Sequence, residues 1–87
     1  MNELTISLDA KASRPLYEQI YEYIRQEIQS GGLPCGERLP STRGLAKYLE
    51  VSRSTVTLAY EQLLSEGYID NQPGSGYFVN DLEGLYR

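Results

Sequence analysis

The side chains best suited to binding chemistry stand together in the middle of the chain, at positions 52–57 with the sequence SRSTVT. The guanidinium of Arg53 can donate two parallel hydrogen bonds to a guanine edge, or it can bind a phosphate. The hydroxyl side chains around it are short, so they let the backbone come close to a polymer. Two further cations, Arg43 and Lys47, precede this run. This pattern of donors and positive charge favours a nucleic acid duplex as the partner.

The distribution of charge supports a local binding surface, although the chain as a whole is acidic. Its 87 residues carry a formal net charge of −4, which by itself argues weakly against nucleic acid. Residues 38–60 nevertheless hold four cations and a single acid, Glu50, whereas residues 16–37 and 61–87 are acidic. A phosphate backbone meets the local surface of a protein rather than its total charge.

The residues that the sequence lacks disfavour several classes of function. It contains no histidine and one cysteine, which removes Ser-His and Cys-His catalysis, effectively rules out a zinc site and excludes a disulfide within the chain. Its apolar stretches are too short for a membrane span, and its N-terminus has no secretory signal. We therefore expect a cytoplasmic binding domain that is not an enzyme and has no metal, no cofactor and no membrane partner.

Hydrophobic periodicity, glycine stops and serine N-caps predict three helices that position the polar residues. These helices span residues 15–30, about 42–49 and about 53–66. Ser41 and Ser52 are suitable N-caps for the second and third helices, which a tight turn joins.

Alternating and turn-bounded patterns predict a small β component. It consists of a strand over 4–8, a short stretch of strand character at 37–39, and a hairpin with strands over 68–72 and 77–79. The hairpin loop is the small-residue run Pro73-Gly74-Ser75-Gly76.

This order of elements indicates a winged helix-turn-helix, because two helices joined by a short turn precede a hairpin. The predicted fold class is mostly α with a small β-hairpin (α+β), formed by three helices plus a wing. Residues 1–14 would form an N-terminal strand or arm, residues 15–79 the winged helix-turn-helix, and residues 80–87 the start of a linker to a C-terminal domain.

In this motif the last of the paired helices enters the major groove, and its N-terminal residues face the base edges. The predicted DNA contacts are therefore the polar residues at the start of the third helix, the cations of the second helix and the small residues of the wing. They are Arg43, Lys47, Ser52, Arg53, Ser54, Thr55, Thr57, Gly74 and Gly76. Because the wing loop carries no charge, we expect a backbone contact there at most.

Each of these residues also has a purely structural interpretation. Ser52 and Thr55 could serve only as helix caps, and Arg53 could be a solvated surface charge. Arg43 could form a surface pair with Glu50 or Glu37. The wing glycines could serve only the geometry of the turn.

Three stretches of the sequence resemble the N-terminal DNA-binding domain of GntR-type transcription regulators. They are PLYEQIYEYIRQEIQSG (15–31), GERLPSTRGLAKYLEVSRSTVTLAYEQLLSEGYI (36–69) and PGSGYFV (73–79). The MocR-like branch is the most similar, and the YtrA-like branch is second. The resemblance implies that DNA contacts come from Arg43, Ser52, Arg53, Ser54 and Thr55, with Gly74 and Gly76 near the minor groove.

Two positions depart from the family pattern. Many members have arginine where this chain has Thr57, so one contact is expected to be missing or shifted. Many also have glutamate where this chain has Gly44, and a glutamate there closes a capping box with Ser41. The second helix is therefore expected to begin less firmly.

The resemblance also bears on the cofactor. MocR-like proteins carry a large C-terminal domain that is similar to a fold-type I aminotransferase and binds pyridoxal phosphate. Nothing in these 87 residues corresponds to that domain, so pyridoxal phosphate is expected only in a C-terminal domain outside this chain.

We interpret the chain as a sequence-specific double-stranded DNA-binding domain of a transcription regulator. The helix at about 53–66 would lie in the major groove, and the wing at 73–76 near the minor groove. The alternative is a winged-helix module that binds protein instead of DNA, which the acidic total charge and the uncharged wing favour slightly. A homodimer is compatible with this interpretation, because repeated half-sites need two readers and the strand at 4–8 offers an edge for pairing.

Overall fold

The computed structural model describes residues 6–81, which form three helices followed by a two-stranded antiparallel hairpin. The elements are α1 (Leu16–Ser30), α2 (Thr42–Leu49), α3 (Arg53–Ser65), β1 (Ile69–Gln72) and β2 (Gly76–Val79). This architecture confirms the predicted fold class. The bounds of the helices and of the hairpin strands differ from the predicted ones by at most one residue.

Helix α1 is amphipathic, as the four-residue spacing of its apolar side chains predicts. Its core face buries Ile20, Ile24 and Ile28, together with Tyr21. The helix ends because Gly31 adopts the left-handed conformation, with φ 89°, and donates its N–H to the carbonyl of Ile28. A glycine takes this conformation without the steric cost that a side chain would bring.

The hairpin gains a third, bridging segment at residues 36–39. Strands β1 and β2 pair from Ile69 opposite Val79 to Gln72 opposite Gly76. On the other side of β2, Arg38 bridges to Phe78, and the N–H of Leu39 donates to the carbonyl of Tyr77 at 2.8 Å. The strand character predicted at 37–39 is therefore present as a single bridge, which places β2 between two neighbours.

One buried tyrosine fixes the hairpin to the helices. The hydroxyl of Tyr60 on α3 donates to the carbonyl of Pro40 at 2.7 Å. Its ring packs edge-on against Tyr77 of β2, with the ring centroids 4.9 Å apart. A buried hydrogen bond of this kind contributes about 1 kcal/mol and an aromatic pair a similar amount. The wing therefore has a defined position relative to α3.

The strand predicted over residues 4–8 is wrong for the part that the structure describes. Residues 6–8 are not in a strand, and residues 4 and 5 lie outside the described residues. The alternation itself is real, because Ile6 and Leu8 are half-buried against the helical core while Ser7 is exposed. Alternation shows that one face is covered, but a strand also needs a backbone partner.

The side chain of Gln19 on α1 holds the N-terminal segment in place of a strand partner. Its Oε1 accepts from the N–H of Asp9 at 2.9 Å, and its Nε2 donates to the carbonyls of Asp9 and Arg14. Residues 10–14 of the predicted arm are therefore turns and bends, and an amide side chain of α1 fixes both ends of this stretch.

The C-terminal end of the described chain remains attached to the hairpin. Asn80 donates its backbone N–H to the carbonyl of Tyr68 and its side-chain amide to the carbonyl of Gly67, both at 3.0 Å. The linker predicted from residue 80 lies outside the described residues from position 82 onwards. Across residues 6–81, no helix has the length and apolar character that a bilayer crossing requires.

Candidate nucleic-acid interface

A turn at Glu50 and Val51 sets the angle between α2 and α3. Glu50 takes the left-handed conformation, with φ 58°, which is uncommon for a residue other than glycine. The N–H of Val51 then donates to the carbonyl of Ala46 at 3.0 Å, and its half-buried side chain packs on the core. These contacts bring the start of α3 beside the start of α2.

Ser52 caps α3 and gathers the neighbouring hydroxyl groups. Its Oγ accepts from the N–H of Thr55 at 3.2 Å. The same atom lies 2.7 Å from Oγ1 of Thr55 and 3.1 Å from Oγ of Ser54. Ser52 is thus a cap, as one interpretation of the sequence had it, whereas Thr55 provides the N–H that is capped. Each of these hydroxyls can donate and accept at once. We call Ser52, Ser54 and Thr55 the hydroxyl cluster.

Arg53 lies beside this cluster and is partly oriented by α2. Its Nε donates to Oγ1 of Thr42, the buried first residue of α2, at 3.2 Å. This bond uses the inner nitrogen and leaves the two terminal nitrogens of the guanidinium available for an external partner. Arg53 is exposed, and within residues 6–81 it belongs to no ion pair.

The two cations of α2 are also exposed and one turn apart. Within the described range, neither Arg43 nor Lys47 forms an ion pair, so the suggested pairing of Arg43 with Glu50 does not occur. Lys47 stands in the last turn of α2, where the helix dipole favours a cation. Arg43 stands in the first turn, where the dipole opposes it and an external anion would stabilise it.

The hydroxyl of Thr57 is already used within the helix. It donates to the carbonyl of Arg53 at 2.9 Å, and the residue is half-buried. The structure therefore does not bring Thr57, which lies one helical turn further along α3, into the hydroxyl cluster. What Thr57 can still offer to a ligand is an acceptor lone pair and a methyl group.

The start of α2 is capped despite its departure from the family pattern. The N–H of Gly44 donates to Oγ of Ser41 at 3.0 Å. A glycine has no side chain to return the bond, so only half of a capping box is present.

The wing loop forms a tight turn of small residues. The N–H of Ser75 donates to the carbonyl of Gln72 at 2.9 Å, and Gly74 has φ 80°. Proline followed by a glycine of positive φ is the pattern of a type II turn. Gly76 was predicted in the loop but is the first residue of β2, where it has φ 118°.

The structure also exposes a residue that the sequence analysis did not single out. Leu58 is 51% exposed and lies one helical turn after Ser54, on the face of α3 opposite the core. Its position off the apolar stripe of α3 was visible in the sequence and could have identified it. An exposed leucine beside donors is able to contact a thymine methyl group.

Comparisons with known proteins agree with this arrangement. Residues 16–79 match the family described as bacterial regulatory proteins, gntR family. The chain is 47% identical over 75 residues to the probable rhizopine catabolism regulatory protein MocR of Rhizobium meliloti, covering 86% of this chain and 15% of that protein. The chain spans only 15 to 17% of the length of the curated relatives that it matches first.

Solved structures show the same fold. The chain superimposes on YtrA from Sulfolobus acidocaldarius, a GntR-family transcription factor, with a TM-score of 0.82 and 36% identity, covering 92% of this chain and 86% of that one. It also superimposes on the AraR DNA-binding domain in complex with operator ORR3, with a TM-score of 0.72 and 30% identity, covering 84% and 88%. The family match covers most of the sequence, and the fold is the winged helix-turn-helix of these regulators. This chain therefore belongs to the GntR family of bacterial regulatory proteins.

Proposed function

We propose that this domain binds specific double-stranded DNA sites through the N-terminal end of α3. The observation that carries the proposal is the combination of Arg53 and the hydroxyl cluster at an exposed helix start. There, two guanidinium nitrogens are available and no carboxylate within residues 6–81 pairs with Arg53. The likeness to the AraR DNA-binding domain, whose structure is a complex with an operator, supports DNA as the ligand.

The division of roles follows from the chemistry of each side chain. Arg53 is suited to guanine O6 and N7, and the hydroxyl cluster to base edges or phosphates. Arg43 and Lys47 reach phosphates from α2, and Gly74 and Gly76 allow the wing backbone to approach the minor groove. Contacts to phosphates would supply most of the affinity, and contacts to bases the choice of sequence.

The properties of the complete regulator belong to this proposal as well. Because such a regulator acts on DNA, we place it in the cytoplasm and expect no enzymatic role for this domain. Two copies would bind repeated half-sites. Any pyridoxal phosphate site would lie outside these 87 residues.

A selection experiment tests the proposal with the chain as it stands. Duplexes are selected from a random pool, and the dissociation constant of the selected duplex is measured against a mixed-sequence duplex over a series of salt concentrations. Arg53→Ala should lose about 1–3 kcal/mol of binding free energy on the selected duplex only. Lys47→Ala should weaken both duplexes alike and reduce the salt slope by about one unit.

The outcomes separate the two classes of function. Equal binding of both duplexes by the wild-type chain, or unchanged discrimination in Arg53→Ala, would contradict the assignment of α3. An absence of any salt-dependent DNA binding would favour the alternative, a winged-helix module that binds protein.

A further inference from the structure

A further cation that has no ion pair within residues 6–81, Arg38, lies at the root of the wing. Its backbone bridges to Phe78 of β2. Tyr77 and Val79 face the core, so the residues that alternate with them along β2, Gly76 and Phe78, lie on the outer face of the sheet. Directly bridged residues have their side chains on the same face, so Arg38 shares the outer face with Phe78. The position of Arg38 is therefore set by the sheet.

The side chain of Arg38 runs along β2 towards the turn. A Cβ atom built on Gly76 would lie 3.2 Å from Nε and 3.6 Å from Nη2 of Arg38. The guanidinium thus occupies the space above Gly76, the first paired residue after the wing loop. This contact gives a second reason for glycine at position 76, beside its φ of 118°.

Among the described residues, no acid forms an ion pair with Arg38. The residue is exposed, and the ion pairs found within residues 6–81 join Arg14 to Glu18 and Arg25 to Glu22. The wing loop itself has no charged side chain. Arg38 therefore adds a cation at the root of the wing, where the loop is uncharged and Asp70 of β1, which pairs with Phe78, is an exposed acid on the same face.

The backbone next to Arg38 is also held against α3 by direct contacts. Pro40, two residues further along the chain, accepts the hydrogen bond of Tyr60 from α3, and Tyr60 packs on Tyr77 of β2. When the start of α3 lies in a major groove, the wing root is held in a fixed place beside it.

We propose that Arg38 is the cationic DNA contact of the wing and binds backbone phosphates that flank the minor groove beside α3. The contact replaces the charged side chain that the wing loop lacks. The inference rests on the proposed DNA-binding function and adds a residue to it.

The salt dependence of binding tests this contact. Arg38→Ala and Arg38→Lys are titrated with a mixed-sequence duplex over a series of salt concentrations, and the slope of log K against log salt is measured. A contact to one phosphate predicts several-fold weaker binding by Arg38→Ala and a slope smaller by about 0.9. Arg38→Lys should keep most of the slope, because the charge remains.

Arg25→Gln provides the matched control. It also removes one cation, but Arg25 stacks on Tyr21, whose hydroxyl bonds Glu66 at the far end of α3 from Arg53. The slope of this variant should equal that of the wild type. Thermal unfolding of each variant shows whether it is folded.

A second variant tests the geometry without removing the charge. In Gly76→Ala the guanidinium has to give way by only a few tenths of an ångström and its charge remains, so binding should weaken less than in Arg38→Ala and the slope should stay near that of the wild type. Gly31→Ala has a similar positive φ but no atom within 4 Å of its Cβ, so it controls for backbone strain.

The results that would overturn the inference are specific to Arg38. If the wild type binds DNA with a steep slope and Arg38→Ala has the same slope, Arg38 has no phosphate contact. Weaker binding at an unchanged slope would mean that the residue acts only by packing on Gly76. Salt-independent binding by the wild type would instead contradict the proposed function itself.

Discussion

Arg53 shows how one side chain can serve both the fold and recognition. Its Nε is committed to Thr42, which fixes the direction of the guanidinium plane, and the terminal nitrogens remain available. A preoriented arginine loses less conformational entropy when it binds than a freely rotating one. The start of α3 is therefore organised before DNA arrives.

At the same scale, the sequence could predict which polar side chains lie at the start of α3 but not how their hydrogen bonds are shared. The hydroxyls at positions 52, 54 and 55 do stand together, as their spacing after an N-cap predicts. That Thr57 bonds the carbonyl of Arg53 depends on its side-chain rotamer, which no sequence pattern specifies. Arg38 was missed as a contact because its partner Gly76 is distant in the sequence.

Leu58 gives a prediction about base choice. Its exposed side chain one turn after Ser54 is expected to contact a thymine methyl group. Replacing each thymine of the selected duplex with uracil, which lacks the methyl group, should weaken wild-type binding at one position. Leu58→Ala should bind the thymine and uracil duplexes equally at that position.

The comparison has a built-in control, because Leu58→Ala should still discriminate the selected duplex from a mixed-sequence one through Arg53. Wild-type affinities that do not change with any uracil substitution would contradict the role of Leu58.

At the scale of elements, local signals were reliable and long-range pairing was not. Serine N-caps and glycine stops predicted all three helices, because those signals act within a few residues. The alternation at residues 4–8 predicted a strand, but the backbone of Asp9 bonds Gln19 instead. The bridge between Arg38 and Phe78 joins segments that α2, α3 and β1 separate along the chain. The sequence could predict the strand character of residues 37–39 but not their pairing partner.

The N-cap of α2 gives a prediction about stability. The Oγ of Ser41 satisfies the N–H of Gly44, and α2 has only 8 residues and no reciprocal bond from position 44. Ser41→Ala should lower the free energy of unfolding by about 1 kcal/mol, as measured by urea denaturation.

Ser41→Gly is the informative companion variant, since glycine is itself an acceptable N-cap and should cost only a few tenths of a kcal/mol. If both variants had the same free energy of unfolding as the wild type, the hydrogen bond at this cap would contribute nothing to the stability of α2.

At the scale of the whole molecule, the positive charge is concentrated in one part of an acidic domain. Four exposed cations occur within residues 38–53, although the net charge of the chain is −4. They lie at the wing root, on α2 and at the start of α3, and they are Arg38, Arg43, Lys47 and Arg53. The acidic remainder is consistent with a domain that presents one face to a duplex. The composition alone could not have shown this, because it reports only the sum.

The fold also predicts an alkaline limit to stability. Burial and the hydrogen bond to Glu66 raise the pKa of Tyr21 from 10.0 to about 12, and burial raises the pKa of Tyr60 as well. The folded state therefore favours the neutral phenols. This contribution to stability is complete below about pH 10 and is lost as the pH rises towards 12.

Urea denaturation at about pH 8 and pH 11 checks this prediction. The wild-type chain should be markedly less stable at the higher pH, and Tyr21→Phe should lose less stability between the two. An equal loss in both proteins would show that Tyr21 does not titrate with an altered pKa.

The placement of α3 on DNA is tested most directly by the backbone amide chemical shifts of the chain, titrated with the selected duplex. We predict shift changes concentrated at residues 38–57 and 72–76, which contain α2, the start of α3 and the wing. The C-terminal turns of α1, at residues 24–31, should not change. Changes confined to α1, or none at residues 52–57 while the duplex is bound, would contradict the account.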